Sequence, residues 1–203
     1  MNSIWDKKAE NYDKHTKKMF LEANNKIVHQ TKKNCKNYDT ILDVGCGTGM
    51  IIKELASSVC KVKAIDTSTE MISMARKNDI PNIDWEVNDL YHIDTRNETF
   101  SIITAFNILL YINDVNGFLK YVYDILPEGG HFISVTDCFG EKPGIDKYMI
   151  RLGMRLGKFP EMKTFKMEEL KKIISSIGFH VDYEENMCDR THNYFIVARK
   201  DSK

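Results

Sequence analysis

The sequence has no excess of either charge: 29 Lys and Arg residues stand against 29 Asp and Glu. That balance argues against strong non-specific binding to nucleic acid, though a local basic patch would escape it. It has no apolar run near the roughly 20 residues that a membrane span needs. The polar stretch 1–10 has no signal-peptide core, so a cytoplasmic protein is expected. It has no Cys-x-x-Cys pair. The five cysteines, at 35, 46, 60, 138 and 188, are scattered, which argues against a disulfide framework or a metal site and fits a reducing compartment. No internal repeat or second domain is visible, and 203 residues suit one domain, 1–203, with a sizeable core.

What the chain does have is the stretch Ile41-Leu42-Asp43-Val44-Gly45-Cys46-Gly47-Thr48-Gly49. Its first four residues suit a buried strand. Three glycines at alternate positions then force a sharp turn and bring bare backbone close to something. Helix formers follow over 50–56, so the glycines should sit at a helix N-terminus with free backbone N–H groups. The spacing differs from the Gly-x-Gly-x-x-Gly of dinucleotide folds, because Met50 stands where the last glycine would come. Asp43 ahead of the first glycine would repel a pyrophosphate and attract an ammonium group.

Elements alternate along the rest of the chain. A helix over 4–20 with a break near Tyr12-Asp13-Lys14 and a second helix over 21–35 form an N-terminal cap, 1–36. Strands are expected over 40–44, 61–65, 82–87, 100–105 and 131–136. Helices are expected over 70–77, capped by Ser68 or Thr67, and over 115–126, stopped by Pro127. An insertion over 138–163 carries a helix over 145–157. A helix over 168–176 ends at Gly178, and strands over 179–183 and 194–199 close the chain. Strands that alternate with helices and are almost continuously apolar predict an α/β fold with a mostly parallel sheet, covered on both faces. Ligands gather at the C-terminal ends of such strands, where Asp43, Asp66, Asp89, Asn107 and Asp137 would converge. Asp66 could accept the two hydroxyls of a ribose. Met71 could pack on an adenine face, and Asp89 could accept from an adenine amino group with Leu90 N–H beside the ring.

These features together resemble the class I S-adenosylmethionine-dependent methyltransferases of the small-molecule type. The resemblance rests on Asp43 to Gly49, on Asp66, on Asp89-Leu90, on the segment 100–112 and on Leu126-Pro127-Glu128-Gly129-Gly130. It also rests on Trp5-Asp6…Ala9…Tyr12-Asp13, Phe165…Leu170 and Ile177-Gly178-Phe179. It implies a Rossmann-like seven-stranded sheet of order 3-2-1-4-5-7-6 with an antiparallel last strand. It implies S-adenosyl-L-methionine as cofactor. Gly45, Cys46, Gly47, Gly49 and Asp43 would lie at its methionine part, Asp66, Thr67 and Met71 at the ribose and adenine, and Asp89 and Leu90 at the adenine. Phe106 and Asn107 would lie beside the sulfonium, with Tyr12 closing over the cofactor.

Methyl transfer chiefly needs alignment of nucleophile and methyl carbon, so no invariant catalytic residue follows from the fold. Candidate bases near the rim are His15, Tyr111, Asp137 and His192; His131 starts a strand and should be structural. In the insertion, Lys147, Arg151 and Arg155 recur every four residues and Lys158 extends them, beside an apolar face of Ile145, Met149, Leu152 and Leu156. That pattern predicts a lid helix, either packed on the body or meeting an acidic or amphiphilic acceptor and a membrane surface through 145–157. The expected acceptor is a small molecule, with no nucleic acid as partner. The alternatives are an RNA or protein methyltransferase and a non-catalytic cofactor-binding protein. The absence of Asn-Pro-Pro-Tyr after the fourth strand, where Ala105-Phe106-Asn107-Ile108 stands, weakens the first of these.

Overall fold

A computed structural model describes residues 4–157 and 159–202, apart from the side chains of residues 15 and 17–19. Seven strands form one sheet: β1 (Thr40–Val44), β2 (Lys61–Asp66), β3 (Ile83–Val87), β4 (Ile102–Phe106), β5 (His131–Asp137), β6 (Phe179–Asn186) and β7 (Asn193–Lys200). Their order is β3-β2-β1-β4-β5-β7-β6, with β7 antiparallel to both of its neighbours and the other pairs parallel. The expected fold class and strand order are both present.

The central strands are apolar throughout because both of their faces are covered. Leu42, Val44, Ile103 and Phe132 point to one side, against α4 (Val115–Ile125) and α6 (Met167–Ile177). Ile41, Val62, Ile102 and Ile133 point to the other, against α1 (Ile4–Lys33), α2 (Ile52–Leu55) and α3 (Thr69–Ala75). Each fully buried aliphatic side chain here contributes about 1.5–3 kcal/mol relative to exposure. Ser68 caps α3 by accepting from Met71 N–H at 3.2 Å. Gly178 ends α6 with φ 117°, a backbone conformation that other residues resist.

Two expectations are corrected, and one left open is narrowed. The N-terminal helix does not break at Tyr12-Asp13-Lys14; its one departure from helical backbone is Phe20 (φ −134°, ψ 18°). The Asp13 carboxylate is taken up by the Thr48 hydroxyl instead of competing for local backbone. The helix after the glycines is only four residues long, continued by a 3₁₀ turn over Ala56–Ser58. The row Ile145, Met149 and Leu156 of α5 (Gly144–Arg155 and its C-cap) is not packed on the body; these side chains are 73%, 57% and 61% exposed. Lys158 lies outside the described residues. His131 begins β5, at the end of the sheet remote from the strand tips, 4.0 Å from Asp182.

Candidate active site

The strand order reverses between β1 and β4, and a cavity of about 350 Å³ opens at the C-terminal ends of β1 to β4, where such sheets take ligands. Val44, Gly45 and Gly47 form its base, and Asp66, Thr67, Asn88 and Asp89 lie along its rim. Met71, Leu90 and Ile108 give it flat apolar walls, with Phe106 and Asn107 at the end of β4. Trp5 and Tyr12 of α1 lie across it, their rings edge to face at 6.4 Å, and Trp5 meets Tyr111 at 5.0 Å. The first half of α1 is tied down at two points. Asp13 accepts from the Thr48 hydroxyl, and Asp6 accepts from the Ser68 hydroxyl and, at 3.4 Å, from Glu70 N–H.

The glycine loop is shaped differently from the anion cradle its sequence suggests. Gly45 and Cys46 donate their N–H groups to Ile65 O at 2.8 and 3.0 Å, Gly47 donates to Asp66 Oδ2 at 2.9 Å, and Gly49 donates to Cys46 O at 3.0 Å. These four donors are therefore spent inside the protein, and the short α2 adds little dipole. Gly47 has φ 57°, and a Cβ there would meet nothing within 4 Å, so its open side is left to the cavity. Gly49 has φ 79° and serves packing: a Cβ would lie 2.3 Å from the Trp85 ring. Gly49, Cys46 and Asp43 do not line the cavity.

Asp43 is buried beneath the loop and accepts from the Thr104 hydroxyl at 2.6 Å. Burial raises its carboxyl from an ordinary value of 3.8 to about 7, Thr104 lowering it and nearby Asp66 raising it. Asp66 is half-buried; its oxygens take Gly47 N–H and Ser68 N–H at 2.9 and 2.8 Å, while burial pushes its carboxyl upward. Thr67 N–H also acts on this carboxylate, and some lone-pair capacity remains for a ligand. Asp89 accepts from Tyr91 N–H at 2.9 Å and meets His92 Nδ1 at 2.8 Å, so it caps the 3₁₀ turn Leu90–His92 as well as lining the rim. Burial raises the Cys46 thiol well above its ordinary value, which leaves it unreactive.

Residues 41–130 match the family model for the methyltransferase domain. That stretch, less than half of the chain, holds the glycine loop and the acidic strand tips, and over it the chain is similar to methyltransferases. A sterol 24-C-methyltransferase of Debaryomyces hansenii is 25% identical over 161 residues, covering 74% of this chain and 42% of that relative. The chain therefore spans less than half the length of that protein. A chain from the complex of a Haloferax volcanii methyltransferase with its methyltransferase activator superposes with a TM-score of 0.83 at 14% identity, covering all of both chains. The S-adenosylhomocysteine complex of DhpI gives 0.74 at 16% identity, covering 98% of this chain and 94% of that one. At these identities the solved structures show a shared fold.

The chain has a second, larger cavity of about 730 Å³. Phe20 of α1, Phe139, and Ile150, Leu152 and Leu156 of α5 give it an apolar body. Tyr111 lines both cavities and joins them; Asp137 lines the larger one. Burial pushes the Tyr111 hydroxyl far above its ordinary range, which favours its protonated form, a hydrogen-bond donor. Asp137 is also pushed upward by burial and is held by Asn193, whose Nδ2 donates to Asp137 Oδ1 at 2.8 Å and to Asn107 Oδ1 at 3.1 Å. Asn107 needs that support, because its φ of 57° is uncommon outside glycine. His192 lines neither cavity; its carbonyl accepts from Cys138 N–H at 2.9 Å. The side chain of His15 lies outside the described residues.

The cations on the larger cavity are Lys8, Lys142 and Arg190, not the Lys147, Arg151 and Arg155 stripe of α5. Lys142 is committed, donating to Arg190 O at 2.8 Å. Sequence reasoning also missed Trp5, Ile108 and Asn193 as parts of the site. The seven-residue spacing of Trp5 and Tyr12 on one helix carried that signal for Trp5; the other two are placed only by the sheet. Replacing Asn193 with alanine strips the donor from a buried carboxylate and from Asn107. We expect a loss of about 2 kcal/mol in urea unfolding.

Proposed function

We propose that this methyltransferase moves the methyl group of S-adenosyl-L-methionine to a small-molecule acceptor with an apolar body, held in the larger cavity. The observation that carries the reading is the pair of adjoining cavities at the strand tips, with Tyr111 on the wall of each. Their residues suit the two ligands. Asp66 offers its remaining lone-pair capacity to the ribose hydroxyls, and the open side of Gly47 lets a ligand lie against the backbone. Met71, Leu90 and Ile108 offer flat apolar contact to a purine, with Asp89 at its edge. Asp43 supplies negative charge under the loop for the ammonium of the methionine part, acting through the field or a water because it does not line the cavity. Trp5 and Tyr12 exclude water from above.

When bound, the cofactor supplies an electrophilic methyl carbon on a sulfonium. The protein's part is to hold the acceptor atom in line with it. Tyr111 donates a hydrogen bond at the junction and orients the acceptor group. Asp137, raised by burial and fixed by Asn193, is the carboxylate placed to take a proton from an acceptor hydroxyl or amine. The sterol relative, which acts on an apolar small molecule by its name, supports this acceptor class.

Incubation with methyl-labelled cofactor and separated lipid, polar-metabolite, RNA and protein fractions tests the reading. Label should move into a small-molecule fraction. Asp66→Ala should weaken cofactor binding about 100-fold or more, since two charge-assisted hydrogen bonds are worth about 3 kcal/mol together. Label appearing only in RNA or protein would overturn the acceptor class.

A further inference from the structure

The surface of α5 has no role in the site as described. Ten large apolar side chains are exposed among the described residues, and five of them lie between 145 and 159: Ile145, Tyr148, Met149, Leu156 and Phe159. Phe159 is folded back on the helix, its N–H donating to Gly153 O at 3.3 Å and its ring occupying the space a Cβ at Gly153 would need. The apolar residues at 145, 148, 149, 152 and 156 fall on one arc of the helix, and Lys147, Arg151 and Arg155 run beside it at four-residue spacing.

None of those three cations forms an ion pair among the described residues. The acids nearby are otherwise engaged. Asp146 meets Lys142 at 3.9 Å, and Asp114 and Glu169, which share a cleft with Arg151, cap α4 and α6 by accepting from Gly117 and Lys166 N–H. An apolar strip of this kind would cost about 25 cal/mol for each Å² left in water. Flanking unpaired cations suit an anionic lipid surface, where each contributes attraction.

Met149, Leu156 and Phe159 also line the larger cavity. The exposed strip is therefore continuous with the cavity wall, and an apolar molecule could pass from one to the other without crossing water.

We propose that α5, with Phe159, docks on an anionic lipid surface and admits an apolar acceptor from that surface into the larger cavity. The acceptor half rests on the methyl-transfer reading; the docking half does not. Co-sedimentation of the full chain with vesicles tests it, using phosphatidylcholine alone and equal parts phosphatidylcholine and phosphatidylglycerol. The protein should partition onto the mixed vesicles, far less onto the neutral ones, and be released by salt. The double variant R151Q/R155Q should lower partition about 30-fold, two cations at the surface each being worth about fivefold. The double variant I145S/Y148S, at two positions that do not line the cavity, should lower it about tenfold or more.

Titration calorimetry with S-adenosylmethionine on the same samples should give the same affinity for all three proteins, which shows that the variants are folded. No association with mixed vesicles at low salt would overturn docking, as would equal partition onto neutral vesicles or equal partition of both variants. A lipid-free dimer that I145S/Y148S dissociates would also overturn it, by assigning the strip to a second copy. Vesicle binding without cofactor binding by the wild-type chain would keep docking and remove the methyl-transfer reading instead.

Discussion

Replacing Asp43 with asparagine should stabilise the protein without cofactor and weaken its grip on S-adenosylmethionine. The Asp43 carboxyl is buried beneath the glycine loop and raised from 3.8 to about 7. The folded chain thus holds a proton that the unfolded chain releases between about pH 4 and pH 7. Stability from this group is present below the unfolded value and is lost as pH rises towards the folded value, because the ionised form is the one that burial penalises. At about pH 8 the cost is on the order of 4 kcal/mol before structural relaxation. Asparagine keeps the bond from the Thr104 hydroxyl and removes the charge. The variant should therefore melt at a higher temperature than wild type at about pH 8, by less at about pH 5, and at nearly the same temperature only below about pH 4.

Cofactor binding should move the other way. The ammonium group of the methionine part favours ionised Asp43, so wild-type affinity should fall up to about tenfold for each pH unit below 7. The variant should bind about tenfold or more weakly at pH 8 and show a flat profile. Scanning calorimetry and titration calorimetry across this range measure both effects. A variant that binds the cofactor as tightly as wild type would remove Asp43 from the site.

Gly47→Val and Gly49→Val should fail for opposite reasons. Both positions have positive φ, which strains a β-branched residue by about 1–3 kcal/mol. At Gly47 nothing lies within 4 Å of a Cβ, so the fold should survive with a lower melting temperature. The new side chain fills the base of the smaller cavity, and cofactor binding should fall more than about 100-fold. At Gly49 the Cβ lies 2.3 Å from the Trp85 ring, and the clash adds about 1–3 kcal/mol of overpacking to the strain. That loss is a large part of a domain's marginal stability, so the variant should be recovered mostly unfolded. Circular dichroism and cofactor titration on both variants separate the two outcomes.

The fold was legible because burial on both faces forces a nearly continuous apolar strand, and the residues expected for β1 are those observed. The acidic strand tips were legible for the same reason. Asp66 and Asp89 reach the cavity rim because each ends or follows a parallel strand on the C-terminal edge of the sheet. What could not be read is set by partners distant in sequence. The glycine N–H groups are consumed by Ile65 and Asp66 of the neighbouring strand, so the loop that suggests an anion cradle is instead a closed turn with one open side. Asn193 joins residues 86 and 56 positions away, and nothing in its own neighbourhood marks that role. The kink at Phe20 falls among good helix formers, with no proline or glycine to announce it. The α5 pattern was visible, but whether its apolar face packs inward or stays exposed depends on what the rest of the chain leaves uncovered.

The central claim is that the smaller cavity seats S-adenosylmethionine and not a dinucleotide. Titration calorimetry of the purified chain at about pH 8 tests it directly, with S-adenosylmethionine, S-adenosylhomocysteine and NADH in parallel. The account predicts one cofactor molecule bound per chain, loss of that binding in Gly47→Val, and no binding of NADH. Tight binding of NADH with no heat from either adenosyl compound would contradict it.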